Sequence, residues 1–298
     1  MVLVTGSSGM LGRVLCGVFE KKHPVLGVSK SGTNGVACDL SDPEALRGLF
    51  GARPIKLAVH AAAYSDVDGC EQDPKRAYAA NALAPKNLSA LCAAKNVPWI
   101  HVSTDYVFDG RKREPYVESD AAGPVNIYGL TKWIGEFYAQ RSVPPCAIVR
   151  TSWLFGPGNP NNFVNAIASR LEKESTVSVL DDQADAPTSV KDLSLAIARI
   201  ADVLLERGAS KRWNETFHVC NSGGTTRYEM TNVIRDALGR KNVRVEKADR
   251  SQIKNRVAIR PQYAVMSPAR FEKTFGMKMR PWRESLREYI EEKVSCVS

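Results

Sequence analysis

The opening stretch constrains this chain more than any other. Met1-Val2-Leu3-Val4-Thr5 is a short apolar run rich in β-branched residues, as suits a parallel strand buried on both faces. Gly6-Ser7-Ser8-Gly9-Met10-Leu11-Gly12 follows at once, and Leu11 to Lys21 then reads as a helix with Leu11, Val14, Leu15, Val18 and Phe19 on one side. Glycines at a strand-to-helix turn lack the Cβ that would hold a ligand off the backbone. N–H groups there can approach a pyrophosphate at the positive helix end. A plain turn would account for one of these glycines, whereas the strand–turn–helix order is the context a dinucleotide-binding loop requires.

Strand-like segments recur around Pro24-Val28, Leu57-His60, Trp99-Val102 and Cys146-Arg150, alternating with helical stretches. Repeated βαβ units of this kind build a parallel sheet with its ligand crevice at the carboxyl edge. The expected fold is α/β: a Rossmann-type doubly wound parallel sheet with a smaller α/β substrate-binding domain. Past Arg150 the regularity gives way to the turn-rich Gly156-Pro157-Gly158-Asn159-Pro160. Asp192 to Glu206 reads as an amphipathic helix with Leu193, Ile197, Ile200 and Leu204 apolar, and Thr231 to Leu238 and Trp282 to Val294 as further helices.

Chemistry concentrates between residues 104 and 132. Thr104 ends the strand-like Trp99-Ile100-His101-Val102 segment, and Tyr128 and Lys132 stand four residues apart, neighbours on one face if residues 128 to 139 are helical. A phenol with an ordinary pKa of about 10 is a poor acid at neutral pH. A nearby ammonium is expected to lower it and support general acid catalysis. Thr104, Tyr128 and Lys132 are therefore the expected catalytic set of a nicotinamide-dependent reductase.

The Gly-x-x-Gly-x-x-Gly spacing resembles that of the extended short-chain dehydrogenase/reductase superfamily, as do His60-Ala61-Ala62-Ala63, Asn81 and Ser103-Thr104-Asp105-Tyr106-Val107-Phe108-Asp109-Gly110. Arg150-Thr151-Ser152-Trp153-Leu154-Phe155-Gly156, Asn161-Asn162-Phe163-Val164, Asp182-Gln183 with Pro187-Thr188, Arg260-Pro261 and Phe271 to Trp282 narrow the match. Over the whole chain, this set resembles the dTDP-4-dehydrorhamnose reductase family. One departure is Asp185, where many members have glycine.

The resemblance implies residues 1–150 as an NADP-binding domain, with a helix near 189–207 returning to it, and 151–188 plus 208–298 as the sugar-nucleotide domain. It implies reduction of the C4 ketone of dTDP-4-dehydro-L-rhamnose. It places Gly6, Ser8, Gly9, Met10, Leu11, Gly12, Ala61, Ala62 and Ala63 beside the cofactor, with Lys132 also holding the nicotinamide ribose beside Tyr128. It makes Trp153 an aromatic wall for the substrate, although a core role fits that residue too. Thr104, Asp105, Asn162, Gln183 and Arg260 complete the expected substrate contacts, and Arg256 joins Arg260 as a candidate for the diphosphates.

Cofactor choice is read at the end of the second strand, in Gly27-Val28-Ser29-Lys30-Ser31-Gly32. NAD-preferring sites usually carry an acid about 20 residues beyond the glycines. None stands here, and Ser29 and Lys30 offer a hydroxyl and a cation to a 2′-phosphate. NADP(H) is thus expected, with NAD(H) the alternative. Asp39-Leu40 resembles the loop that meets the adenine, and Asp39 suits equally well as a helix cap before Glu44.

The remaining features exclude more than they assign. The net charge of +9 suits a polyanion. Acids interrupt the basic runs at Arg111-Lys112-Arg113 and from Arg240 to Arg260, and no nucleic-acid motif appears. No apolar stretch reaches the roughly 20 residues needed to cross a bilayer, and the first strand leaves no room for a signal peptide; a cytoplasmic protein is expected. Seven scattered cysteines suggest reduced thiols, and His23, His60, His101 and His218 lack metal-ligand spacing. Two rival functions remain. One is the regulatory β subunit of methionine adenosyltransferase, whose partner would be that catalytic subunit rather than a second copy in a homodimer. The other is a sugar-nucleotide epimerase or dehydratase; dehydratases generally add an acid pair after the threonine, of which Thr104-Asp105-Tyr106 supplies one member.

Overall fold

The computed structural model describes the whole chain except residues 52, 144, 161, 209–212, 249–255 and 296–298. Asn161, Cys296 and the middle of the basic stretch from Arg240 to Arg260 therefore lie outside the described residues. Six strands arise in chain order: β1 (Val2–Thr5), β2 (Val25–Ser29), β3 (Val36–Ala37), β4 (Leu57–His60), β5 (Trp99–Thr104) and β6 (Cys146–Thr151). They join the Glu215–His218 strand in one seven-stranded sheet ordered Glu215–His218, β6, β5, β4, β1, β2, β3. Every pairing within it is parallel. The chain winds outward from β1 in one direction and from β4 in the other, which puts the switch point, and the crevice it opens, between these two strands.

Strand residues alternate strictly between two apolar layers. Val2, Val4, Leu57 and Val59 face one core with the Met10–Glu20 and Val190–Arg207 helices. Leu3 and Ala58 face the other, with Leu46, Phe50, Leu88 and Trp99, as the two-residue period of a strand dictates. The Val190–Arg207 helix buries Leu193, Ile197, Ile200 and Leu204 completely and is capped by Ser189, whose Oγ accepts from Lys191 N. At roughly 1.5–3 kcal/mol per buried side chain, that face returns the helix to the nucleotide-binding layers.

The division of the chain at 208 needs correction. The Glu215–His218 strand extends the first sheet, and Phe217, Phe271 and Phe275 enter its core. An open β6 edge would leave a row of unpaired backbone groups. Asn214 guides the covering strand into place: its Oδ1 accepts from Cys146 N at 2.9 Å, and its Nδ2 donates to Gln140 O and Ser142 O at 2.8 Å each. A separate core forms from the Phe163–Lys173, Arg227–Ala237 and Trp282–Ser295 helices, with Val177 and Val245 from a parallel strand pair. The helix expected from Thr231 begins a turn earlier because Thr226 caps it, its Oγ1 accepting from Glu229 N. Among the described residues, no helix is long and apolar enough to cross a membrane.

Candidate active site

A crevice of about 840 Å³ opens at the carboxyl ends of β1, β4, β5 and β6. Gly6, Ser8, Gly9, Met10, Leu11 and Gly12 form one wall. Their spacing is fixed by close backbone approach. Gly6 has φ +73°, and a Cβ there would lie 2.8 Å from Ala62 N; at Gly12 it would lie 2.0 Å from Gly6 O. Gly9 caps the Met10–Glu20 helix with no side-chain bond, and no acid occupies the first turn. The terminal N–H groups remain available to a phosphate. Ser103 Oγ and Thr151 Oγ1 also sit at the crevice with no partner among the described residues. This cradle of glycines and orphaned hydroxyls fits a dinucleotide.

Ser29, Lys30, Asp39 and Leu40 line the same crevice, as do Ala61, Ala62 and Ala63. Lys30 Nζ lies 3.0 Å from Asp39, with both side chains largely solvated. Asp39 Oδ1 accepts from Ser41 N and Oγ; these bonds, then Lys30, hold its carboxyl down at about 2. The cap before Glu44 is Asp42, whose Oδ1 accepts from Glu44 N at 2.9 Å, so Asp39 is free to face the crevice. Arg76, which sequence reasoning missed, joins Lys30 and Lys132 as a third cation in the lining, stacked 4.2 Å over Tyr64.

Thr104 ends β5, 5% exposed. Its Oγ1 donates to Asp105 Oδ1 at 2.9 Å and accepts from Tyr106 N at 3.2 Å. The Ile127–Gln140 helix delivers the other two residues. Asn126 caps it, accepting from Gly129 N at 2.8 Å, so Tyr128 falls in the first turn and Lys132 one turn later. Close approach to the threonine loop requires Gly129, where a Cβ would stand 2.0 Å from Tyr106 O. Asn81 braces this arrangement from a π-helical turn, Ala79–Leu83. Its Oδ1 accepts from Tyr64 N, and its Nδ2 donates to Tyr64 O and Thr131 Oγ1.

The electrostatics differ from the sequence expectation. Burial drives the Tyr128 phenol well above its ordinary value, with Asp105 pushing the same way, and the hydroxyl of Thr104 pulls it back. The residue is half-buried where it lines the crevice, and desolvation is the largest influence on it. Lys132 does not bring the phenol down, because its Nζ is turned to donate to Val102 O at 2.6 Å. Burial lowers Lys132 itself to about 8, against support from Glu136 one turn on. Glu136 in turn holds Arg150 in a buried two-pronged pair at 2.9 and 2.7 Å. That pair was not legible as such, since its members are fourteen residues apart on a helix and a strand.

At the substrate end the outcome is divided. Trp153, Asn162, Thr104 and Asp105 line the crevice. Trp153 adopts φ +42°, rare for a bulky residue and the kind of strain held at functional sites. Its ring packs 5.3 Å from Phe163, and the Arg227 guanidinium lies 5.8 Å above it. Arg227 was not anticipated; its Nε is buried without a partner among the described residues. Asn162 is committed to structure, its Oδ1 capping a helix at Asn165 N and its Nδ2 donating to Gly156 O and Asn159 O. Gln183 and Arg260 are not brought to the crevice wall. Gln183 donates to Pro261 O at 3.2 Å and Tyr106 OH at 3.4 Å, and accepts from Arg256. Arg260 forks onto Asp68, and Arg256 pairs with Asp182 at 2.6 Å.

A doubly wound parallel sheet with a glycine turn, and a threonine, tyrosine and lysine at its carboxyl edge, defines a nicotinamide-dependent oxidoreductase of the extended short-chain dehydrogenase/reductase class. More narrowly, the chain belongs to the RmlD substrate binding domain family, whose model matches residues 1–295. The dTDP-4-dehydrorhamnose reductase of Mycolicibacterium smegmatis is 35% identical to it over 97% of this chain and 84% of that one. A crystal structure of a dTDP-4-dehydrorhamnose reductase from Clostridium acetobutylicum is similar with TM-score 0.88 at 32% identity, covering 97% of this chain and 98% of that one. That from Bacillus anthracis, in complex with NADP, also gives 0.88, at 27% identity over 98% of each chain.

Proposed function

We propose that this protein reduces the C4 ketone of dTDP-4-dehydro-L-rhamnose to the alcohol of dTDP-L-rhamnose. The observation that carries the reading is the convergence of Thr104, Tyr128 and Lys132 on one crevice with the glycine turn. The Gly6 to Gly12 turn, Lys30 and Lys132 would hold NADPH, which supplies the hydride when bound. Tyr128, kept protonated by burial, donates its proton to the oxygen on which negative charge develops. The Thr104 hydroxyl, which favours the phenolate, aligns the carbonyl. Fixed donors in a water-poor crevice stabilise such charge better than mobile solvent does.

Trp153 and Phe163 offer an apolar wall to the deoxysugar, and the unpartnered Arg227 nitrogen suits a phosphate oxygen. Cys16, Cys38, Cys70, Cys92, Cys146 and Cys220 are free thiols, which suits a reducing cytoplasm. The reductase relatives favour this reading over a regulatory subunit. The test follows NADPH absorbance with purified protein and dTDP-4-dehydro-L-rhamnose. Tyr128→Phe should bind NADPH but turn over about 10²–10⁴-fold more slowly. Binding of NADPH with no turnover by the unaltered protein would overturn the proposal.

A further inference from the structure

Two acids on one short helix grip two different parts of the molecule beside the proton donor. The Val67–Gln72 helix follows Ala61, Ala62 and Ala63 of the crevice wall and carries Asp68 and Glu71 three residues apart, neighbours on one face. Glu71 Oε1 accepts from Ile127 N at 2.8 Å, at the start of the helix that bears Tyr128. Asp68 holds the segment 256–260 instead: its Oδ1 accepts from Val257 N, Ala258 N and Arg260 Nη1 at 2.8, 2.9 and 2.6 Å. That segment is a strap between two parts of the fold. At its first residue Arg256 pairs with Asp182 and donates to Gln183, and Gln183 donates in turn to Tyr106 OH at 3.4 Å. The Tyr106 ring stands edge-on to that of Tyr128, with centroids 5.8 Å apart. The buried Asn126 makes the second connection. Its Oδ1 accepts from Gly129 N at 2.8 Å, and its Nδ2 donates to Ile259 O at 2.7 Å. One partner can only donate and the other can only accept, so neither bond survives a flip of the amide.

We infer that Asn126 is a positioning residue for the proposed ketone reduction, its amide tying the 256–260 strap to the first turn of the helix that carries Tyr128. A helix cap needs only an acceptor, and serine or aspartate serves there as well as asparagine. The Nδ2 donor is therefore not required for capping, and it reaches a carbonyl 133 residues away. Tyr128 stands two residues beyond Asn126, so a shift of the cap moves the phenol directly. The strap restrains Tyr128 from two sides, through the cap and through Gln183 and Tyr106. None of residues 256–260 lines the crevice; the strap acts by placing the phenol, without touching cofactor or sugar. Proton delivery needs near-attack geometry, and a displacement of about 1 Å can lower the rate about 10²-fold.

This inference rests on the reductase reading, and amide hydrogen exchange separates the two. Asn126→Ser keeps a capping oxygen and removes the donor to Ile259 O; Asn126→Asp does the same in the shape of asparagine. Each variant should melt close to the unaltered protein and bind NADPH as tightly, because the glycine turn is untouched. Each should lower kcat about ten- to hundredfold with KM little changed, and should exchange the Val257 and Ala258 amides at least about tenfold faster. Asp68→Ala frees the same strap without touching the cap and should give a similar loss of kcat, with little further loss when combined with Asn126→Ser. A loss in Asn126→Asp but not in Asn126→Ser would trace the effect to the added charge and overturn the positioning role. Unchanged kcat in both, or fully additive losses in the double variant, would overturn it too. Unchanged exchange would overturn the tie itself. Faster exchange in a protein that does not reduce the ketone would uphold the tie and overturn the reductase reading.

Discussion

Gly12 and Gly17 lie in the same helix, Met10–Glu20, and alanine at each should have opposite effects. In a helix interior, alanine gains up to about 1 kcal/mol over glycine. At Gly17 nothing lies within 4 Å of the added Cβ, so Gly17→Ala should keep that gain. At Gly12 the Cβ would stand 2.0 Å from Gly6 O, 2.6 Å from Gly6 C and 2.9 Å from the Ser7 Cα. All three are backbone atoms of the phosphate-binding turn, so the turn itself must shift by about an ångström. Overpacking of this kind costs about 1–3 kcal/mol; contact this close with rigid backbone belongs at the upper end. The net loss is about 2 kcal/mol, which lowers Tm by on the order of 4 °C in a chain of this size. Because the displaced N–H groups are those proposed to meet the pyrophosphate, NADPH affinity should fall at least about tenfold. Calorimetric melting and NADPH titration of both variants check this. A Gly12→Ala protein that melts at or above the unaltered protein and binds NADPH equally well would refute the close-approach account of the glycine turn.

Further outcomes follow from the same geometry. Lys30→Ala should weaken NADPH about tenfold while leaving NADH nearly unaffected, and Asp39→Asn, which removes the competing charge 3.0 Å from Lys30, should tighten NADPH relative to NADH; equal changes for both cofactors would count against Lys30 as the 2′-phosphate partner. Glu136→Gln leaves the Arg150 guanidinium buried without its counterion and should cost about 3–5 kcal/mol in denaturant unfolding. A loss below about 1 kcal/mol would show that the pair is dispensable. Lys132 releases its proton near 8 in the folded protein, below its ordinary 10.5. Between these values the unfolded chain binds more protons, so stability should rise with pH through this window and the rise should vanish in Lys132→Met; identical pH slopes would contradict the buried ammonium.

The sequence alone determined the parallel sheet, the glycine turn and the Thr104–Tyr128–Lys132 set, because each is encoded locally. Apolar runs with strand composition, a glycine spacing and an i, i+4 pair are all readable within a few residues, and the glycine turn, Tyr128 and Lys132 so inferred line the crevice. The tertiary structure decided what depends on distance and burial. It placed Glu215–His218 in the first sheet, occupied Gln183 and Arg260 with protein partners, and brought Arg227 over Trp153. It also raised the Tyr128 phenol where a lowering was expected. Spacing along a helix sets which side chains are neighbours, but only packing sets how much water they lose, and desolvation outweighs the charge one turn away.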